Sequence, residues 1–310
     1  MKGADRNKPC QCGSGKKYKK CCIGKEMPIL GTFQHVFNYG SSDPFFARMV
    51  IQMLEIRDFI FRLDQIDSFD EAYDSILQNL TEAKIVKDRC IELISKHTEG
   101  VECGRLARID QNAIQVDECI DTDLNIWFKD FFIRGNIATK NLIKFAKFFD
   151  YEIPFIFTET EKFEKRKAEF LKKSTSDLDK YLMDLIEAHR SSWYASFVEL
   201  RNKIEHESFR VPDIKYRNEN GKIKPMIAKF NSLTIEEFLN LSWENLFVLC
   251  EDIVILLMTS KLPKEAGLSI MHIPENKRDP EKPIRYKIIV GMPSDAKKVS
   301  YKDLHPTSKK

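Results

Sequence analysis

The sequence predicts a mainly α-helical protein with a small β-hairpin and short C-terminal strands. Glycine is scarce, at 12 of 310 residues, which favours helices over loop-rich β architecture. Apolar residues recur at spacings of three and four over long stretches, as they do in amphipathic helices. Hydrophobic residues make up 43% and charged residues 31% of the chain, a composition that supports a buried core and excludes collagen-like and disordered proteins.

Helical segments follow one another along most of the chain. Asp43 and Pro44 supply an N-cap and a first helical position, and the apolar stripe that follows continues to Leu63. Thr234 and Glu237 form a capping box that opens the last long helix. Residues 101–122 fit a short strand and a loop equally well. The predicted helices span residues 44–63, 69–96, 124–149, 160–189 with a break near 174–176, 191–207 and 234–261.

The β structure is predicted where helical spacing gives way to alternation. Residues 214–216 and 226–230 flank the turn sequence 218–221 and predict a β-hairpin. Two further short strands are expected at residues 268–273 and 284–290, and a polar tail begins at Pro293.

The apolar pattern predicts a soluble, cytoplasmic protein with no membrane insertion. The N-terminal residues are basic but contain no apolar signal-peptide core. The most apolar late stretch, residues 247–258, is interrupted by Glu251 and Asp252. Eight cysteines in 310 residues are too few for a disulfide scaffold. In this compartment clustered cysteines favour metal ligation.

Four cysteines near the N-terminus are candidate metal ligands. Cys10, Cys12, Cys21 and Cys22 form the spacing C-x-C-x8-C-C around a glycine-containing interval. Four thiolates satisfy tetrahedral Zn²⁺, and nearby lysines offset the charge of such a site. A segment this small has almost no core, so metal binding would have to supply its folding free energy. The alternative is four unrelated surface thiols.

Residues 9–22 resemble the SEC-C zinc module, known from the C-terminal tail of the SecA translocase and from many bacterial proteins. In that family the last ligand is His or Cys, and Cys22 matches the Cys variant. The resemblance implies one structural Zn²⁺ ion. It also implies a recruitment element that binds protein or ribosome-associated partners, without identifying a reaction.

A second informative segment lies near residue 200. On a helix with 100° per residue, Trp193, Phe197, Leu200 and Ile204 share one apolar stripe. Asn202 and His206 share the opposite face, and Arg201 lies on the flank. We therefore expect His206 to be exposed rather than buried in the core.

Arg201, Asn202 and His206 resemble the R-x4-6-H motif of HEPN domains. The resemblance implies a helical bundle and a metal-independent ribonuclease of a toxin–antitoxin or phage-defence type, with its site assembled in a homodimer. The chemistry suits RNA, which carries its own 2′-OH nucleophile. His206 is the candidate for proton transfer and Arg201 for stabilising charge on the phosphate. Asn202 would bind a phosphate oxygen or orient His206, and the expected product is a 2′,3′-cyclic phosphate.

Two features of the segment constrain this hypothesis. Arg201 and His206 project about 140° apart on an ideal helix, so they converge only through a distorted helix end, a long Arg reach or a second subunit. Glu205 and Glu207 flank His206 and would repel phosphate unless they point away. The alternatives are a non-catalytic adaptor that binds RNA, nucleotide or protein, and a housekeeping protein that its zinc module merely anchors.

Other cysteines, histidines and one glycine are assigned structural roles. Cys90 and Cys250 are expected to be buried in helices, and Gly135 is expected to allow close helix packing. The remaining histidines are predicted to be surface or capping residues: His35, His97, His189, His272 and His305.

The net charge of +3 is unevenly divided. Residues 1–25 carry eight Lys or Arg against one acid, a net +7, and residues 26–310 carry 42 bases against 46 acids, a net −4. The basic head is therefore expected to contact RNA or ribosome electrostatically, and the larger domain to bind RNA through a local groove. The predicted segments are a zinc-binding module at 1–25, N-terminal helices at 26–120, the HEPN-like domain at 121–262, and a β extension with a polar tail at 263–310.

Overall fold

Eight α-helices and eight short strands make up the described secondary structure, together with two π-helical turns and two short 3-10 turns. A computed structural model describes residues 7–8, 16–21, 39–111, 113–153, 160–174, 176–230, 232–262 and 268–290. The mainly helical class with small antiparallel hairpins is confirmed. The chain divides into two units, Met1–Gly40 and Ser41–Lys310. Among the described helices, none has both the length and the apolar composition needed to cross a membrane.

The centre of the second unit is a pair of long helices, α3 (Leu63–Glu102) and α4 (Asp121–Phe148). α3 has 40 residues and is therefore about 60 Å long at 1.5 Å per residue. Strands β1 (Ala107–Asp110) and β2 (Ala113–Val116) form an antiparallel hairpin between the two helices. The stretch at 101–122 thus contains a strand pair, which the sequence left undecided between strand and loop.

The first helical segment consists of α1 (Pro44–Phe46), a π-helical turn (Ala47–Ile51) and α2 (Gln52–Ile60). The Asp43 side chain accepts hydrogen bonds from the backbone N–H groups of Phe45 and Phe46, so the predicted N-cap is confirmed. The predicted extension to Leu63 is wrong. Phe61 adopts extended backbone angles, and Leu63 is the first residue of α3 with 88% of its surface exposed.

Helices α5 (Thr160–Lys173) and α6 (Asp177–His189) are separated at the predicted break, where Ser176 and Asp179 form a capping box. A π-helical turn (Arg190–Tyr194) then joins α6 directly to α7 (Ala195–His206), so the chain is helical where the sequence predicted two separate segments. Helix α8 (Ile235–Thr259) begins at the predicted Thr234 cap.

The remaining strands form three two-stranded antiparallel sheets. The second strand of the predicted hairpin lies at 222–226 rather than 226–230. Asn220 and Gly221 both have positive φ, 55° and 84°, and this pair makes a two-residue turn after which pairing resumes at once. The strands are β3 (Lys215–Glu219) with β4 (Lys222–Met226), β5 (Lys229–Phe230) with β6 (Leu233–Thr234), and β7 (Leu268–His272) with β8 (Tyr286–Val290).

The core is dominated by phenylalanine rings from α3, α4, α7 and α8. The Phe128 and Phe132 ring centroids are 5.1 Å apart, and those of Phe132 and Phe197 are 4.9 Å apart. These stripes therefore pack the helices together, as the spacing predicts. Cys90 and Cys250 are also fully buried, and burial raises the pKa of both thiols to about 12.

Gly135 lies where α4, α7 and α8 approach one another. A Cβ at this position would stand 2.8 Å from Cζ of Phe197 and 2.9 Å from Cδ2 of Leu246. The predicted close packing is therefore confirmed.

We expect Gly135→Ala to destabilise the protein by about 1–2 kcal/mol. Overpacking a rigid core costs about 1–3 kcal/mol, and the higher helix propensity of Ala offsets only part of this cost. Urea unfolding measures the change, with Ser196→Ala on the exposed surface of α7 as the control that should stay near the wild type. A variant as stable as the wild type would mean that α4, α7 and α8 can move apart enough to fit the added methyl group with no loss of unfolding free energy.

A buried charge network joins the first helical segment, through Arg48 in the π-helical turn and Gln52 in α2, to α8 and to Arg285 just before β8. Glu251 is 0% exposed and accepts hydrogen bonds from Nε of Arg48 at 3.0 Å and from Nη1 of Arg285 at 2.6 Å. Nε2 of Gln52 donates to the other carboxylate oxygen at 2.9 Å. Burial by itself raises the pKa of the Glu251 carboxyl, but Arg48 and Arg285 outweigh burial and hold the pKa below its usual value. Glu251 is therefore a charged group that fixes three segments.

Two histidines predicted to be surface or capping residues are buried instead. His97 is 2% exposed, and its Nε2 lies 2.9 Å from the Tyr216 hydroxyl. Burial lowers the pKa of His97. His189 is also buried and accepts a hydrogen bond from Nε1 of Trp193 at 2.9 Å. These positions fall on the inner faces of helices that the sequence could not orient. His35 and His305 lie outside the described residues.

Candidate functional site

Helix α7 carries the predicted Arg–His motif and ends at His206. Phe197 and Ile204 are buried, which anchors the predicted apolar stripe against the core. The chain leaves the helix after Glu207, and Ser208 has a positive φ of 54°. The His206 side chain is 70% exposed. The prediction that His206 is not a core histidine is therefore confirmed.

Arg201, on the same helix, is mostly buried among polar side chains. Its side chain is only 15% exposed, and Nη2 lies 2.6 Å from Oε2 of Glu205. Nη1 donates to Oδ1 of Asn202 at 2.9 Å. With the Asn136 amide oriented so that its oxygen faces Arg201, Nε and Nη2 donate to that oxygen at 2.9 and 3.1 Å. The guanidinium is thus held by three side chains, those of Glu205, Asn202 and Asn136.

Asn136 is a functional candidate that the sequence analysis missed. It is 2% exposed on α4, next to Gly135, and its amide completes the shell of Arg201. A polar residue on a predicted core-facing stripe is the only signal that could have indicated it, because its partner is 65 residues away.

The structure does not bring the Arg201 and His206 side chains into direct contact. Glu205 lies between them, with Oε2 2.6 Å from Nη2 of Arg201 and 3.7 Å from Nε2 of His206. The helix is regular up to its end, where the N–H of Glu207 donates to the Lys203 carbonyl at 3.0 Å. Within one chain the carboxylate of Glu205 therefore links the two groups, and its charge is offset by Arg201.

A groove of about 470 Å³ with aromatic and polar lining lies along another face of α7. Leu200 and Trp193, which the sequence placed in the core stripe, are half-buried and line this groove rather than closing it. Aromatic rings from α4, α8 and β5 form its walls, and Lys203 lies at its edge next to Glu199 at 2.7 Å.

Of the four predicted zinc ligands, the structure describes one. Cys21 is half-buried, and its N–H donates to the Tyr18 carbonyl at 3.2 Å after the 3-10 turn Tyr18–Lys20. Cys10, Cys12 and Cys22 lie outside the described residues. Within the described ranges, no group of three or more His, Cys, Asp or Glu side chains is arranged to hold a metal ion.

Comparison with known proteins gives a match at the N-terminal end of the chain. Residues 6–23 match the family model described as the SEC-C motif. A segment of 30 residues is 60% identical to the protein translocase subunit SecA of Desulforudis audaxviator (strain MP104C). The matched segment makes up 10% of this chain and 3% of that relative. No solved structure matches the chain. The resemblance to a SEC-C module is therefore shown, and it covers a small part of the protein.

Proposed function

We propose that this protein is a metal-independent endoribonuclease in which His206 is the catalytic residue. The observation that carries the proposal is the exposed imidazole at the end of α7 beside a guanidinium held by Glu205, Asn202 and Asn136. A pre-positioned cation and an exposed proton-transfer group are the two elements that phosphate-ester cleavage by the 2′-OH requires. The resemblance to HEPN domains supports the same assignment and a toxin or phage-defence role.

In the proposed reaction, His206 takes the proton of the 2′-OH as the oxygen attacks phosphorus. The bond from phosphorus to the 5′-oxygen breaks, the leaving oxygen takes a proton from solvent, and His206 returns its own proton to solvent, which leaves a 2′,3′-cyclic phosphate and a 5′-OH. Arg201 stabilises the charge that develops on the phosphate oxygens. The RNA phosphate takes the place of the Glu205 carboxylate at Arg201, so one anion replaces another.

We place the complete site where the α7 ends of two copies meet in a homodimer. α7 is regular at its C-terminal end, so Arg201 and His206 leave the helix about 140° apart, and within one chain Glu205 lies between the tips of their side chains. A second copy supplies the convergence that one helix does not.

The test is incubation of the purified full chain with bulk RNA in EDTA. We expect fragments that end in 2′,3′-cyclic phosphate, and a dimer by light scattering. Cleavage no faster than in a buffer blank, across several RNA sources, would contradict the proposal.

A second candidate function is a non-catalytic adaptor that binds RNA, nucleotide or a protein. Its support is the low exposure of Arg201 and the three partners that hold its guanidinium, an arrangement that also suits a purely structural arginine. The adaptor predicts that RNA or a partner is retained in pull-downs without any cyclic phosphate ends.

The N-terminal module would hold one Zn²⁺ ion through Cys10, Cys12, Cys21 and Cys22. The SEC-C match over residues 6–23 and the four thiol donors support this assignment, since four thiolates complete a tetrahedral zinc site. Zinc would supply the folding free energy of the module, and the folded module would recruit a protein or ribosome-associated partner.

We expect the purified chain to contain one zinc ion per chain by elemental analysis. Cys21→Ser should lose most of this zinc, because three thiolates leave the tetrahedral site incomplete. Cys103→Ser is the matched control: it removes an exposed free thiol outside the module and should leave the zinc content unchanged. Equal zinc in both variants would show that Cys21 is not a ligand.

A further inference from the structure

The β3–β4 hairpin presents a basic face, which we call the basic arm (Lys215–Met226). Side chains alternate along each strand, and Arg217 lies opposite Lys224 while Glu219 lies opposite Lys222. Four exposed cations therefore share one face of the two strands. They are Lys215, Arg217, Lys222 and Lys224.

The opposite face of the basic arm is fixed to the core. Ile223 is buried in a cluster with Val101 and Ala107, and the Tyr216 hydroxyl lies 2.9 Å from Nε2 of the buried His97. The tight turn at Asn220 and Gly221 holds the two strands in register. The cations are therefore displayed on a rigid platform, which lowers the entropy that binding a ligand must overcome.

One acid lies on the cationic face of the arm. Glu219 is 3.2 Å from Nζ of Lys224 and 4.0 Å from Nη1 of Arg217. Lys215 and Lys222 make no ion pair with any residue in the described part of the chain. Four cations and one acid give this face a net charge of +3, whereas residues 26–310 as a whole are net acidic.

The arm follows closely after the end of α7 in the sequence. His206 and Lys215 are nine residues apart, so their Cα atoms lie within about 30 Å of each other. The connecting segment is held on α4: the N–H of Val211 donates to Oδ1 of Asn125 at 3.2 Å, and that of Ile214 donates to Oδ1 of Asp121 at 2.7 Å.

We propose that the basic arm binds the phosphate backbone of single-stranded RNA. Positions two residues apart on a strand are about 6.7 Å apart, and cross-strand neighbours are about 5 Å apart, so the four cations form two short rows, with Glu219 at the turn end of one row. A flexible chain of single negative charges complements such rows better than a folded acidic protein does. The inference rests on the proposed function for the choice of RNA.

The experiment measures RNA binding by fluorescence anisotropy with the full chain. His206→Ala is included in every protein so that cleavage does not consume the probe, an unstructured labelled oligouridylate. The test variant is K215Q/R217Q/K222Q/K224Q. The matched control, K96Q/K144Q/K172Q/K180Q, removes four exposed cations from α3, α4, α5 and α6 and leaves the same net charge.

We expect the arm variant to raise the Kd at least about tenfold and to lower the slope of log Kd against log salt by about 2. The control should stay within about twofold, because its cations lie outside the contact. Equal weakening in both variants would overturn the inference, since only net charge would then matter. Polyglutamate bound as tightly as RNA would overturn the choice of partner.

Failure of the proposed function gives a different result. If the wild-type chain cleaves no RNA but the arm variant still loses RNA binding selectively, the ribonuclease proposal fails and the arm stands. If the wild type cleaves RNA and the arm variant binds RNA normally, the ribonuclease proposal stands and the proposal for the arm fails. Thermal unfolding of each variant confirms that the hairpin is intact.

Discussion

Glu251→Ala is expected to destabilise the protein by about 3–5 kcal/mol, the usual cost of leaving buried charges without their partner. Arg48 and Arg285 both donate to Oε2 of Glu251, and both are almost completely buried. Without the carboxylate, two buried guanidinium groups would lose the anion that they share, which leaves Asp252 at 3.1 Å from Arg285 and the exposed Glu244 at 3.7 Å from Arg48. Urea unfolding at neutral pH measures the loss.

The sign of the pH dependence follows from the lowered pKa of Glu251. A carboxyl whose pKa is lower in the folded state stabilises the protein above its unfolded pKa, and this contribution is lost as pH falls through the folded value. The difference between wild type and Glu251→Ala should therefore be largest near neutral pH.

Glu244 provides a matched control on the same helix. It lies 3.7 Å from Nη1 of the same Arg48 but is 58% exposed, and exposed pairs contribute about 0–1 kcal/mol. Glu244→Ala should therefore be close to the wild type in stability. If both alanine variants cost equally little, the network does not hold the first helical segment, α8 and the start of β8 together.

His206→Ala is expected to lower RNA cleavage by about 10²–10⁴-fold, the usual contribution of a general acid–base group. Because the side chain is 70% exposed, its removal should change stability by less than about 0.5 kcal/mol. The loss would therefore be catalytic. Initial rates of cyclic phosphate formation measure it, and Lys203→Ala, an exposed change one helical turn earlier, is the control.

Arg201→Ala separates a catalytic from a structural role. Its guanidinium contacts Asn136, Asn202 and Glu205, so the substitution should lower both activity and stability. Arg201→Lys keeps the charge but loses the planar fork. If Arg201→Lys recovers the stability of the wild type but not its cleavage of RNA, the planar guanidinium itself acts on the phosphate.

If wild-type and His206→Ala proteins cleave RNA at the same rate, the catalytic site does not include His206.

Much of the secondary structure followed from local patterns. The Asp43 N-cap, the Thr234–Glu237 capping box and the break at residues 174–176 were all predicted because each depends on neighbours within four residues. Errors occurred where local preference gave no signal. The stop at Phe61 and the exact start of β4 depend on backbone angles that a hydrophobic pattern does not encode.

The candidate site was predictable only in part. The exposure of His206 follows from its angle to the apolar stripe on one helix. The close approach at Gly135 was predicted because glycine is unfavourable inside a helix and so needs a packing reason. The shell of Arg201 was not predictable, because Asn136 reaches it from α4 across a helix interface. The burial of His97 likewise depends on a hairpin that contributes Tyr216 from 119 residues away.

The sequence by itself determined the helical class, the SEC-C motif and the exposed His206, since each is a matter of composition, spacing or helical angle. Only the tertiary structure decided which charged groups are buried. Glu251 and Asp252, which in the sequence merely interrupt an apolar run, lie in the core with Arg48 and Arg285 around them. A buried charge is stable only beside its partners, and those partners are brought together by packing and not by position in the chain.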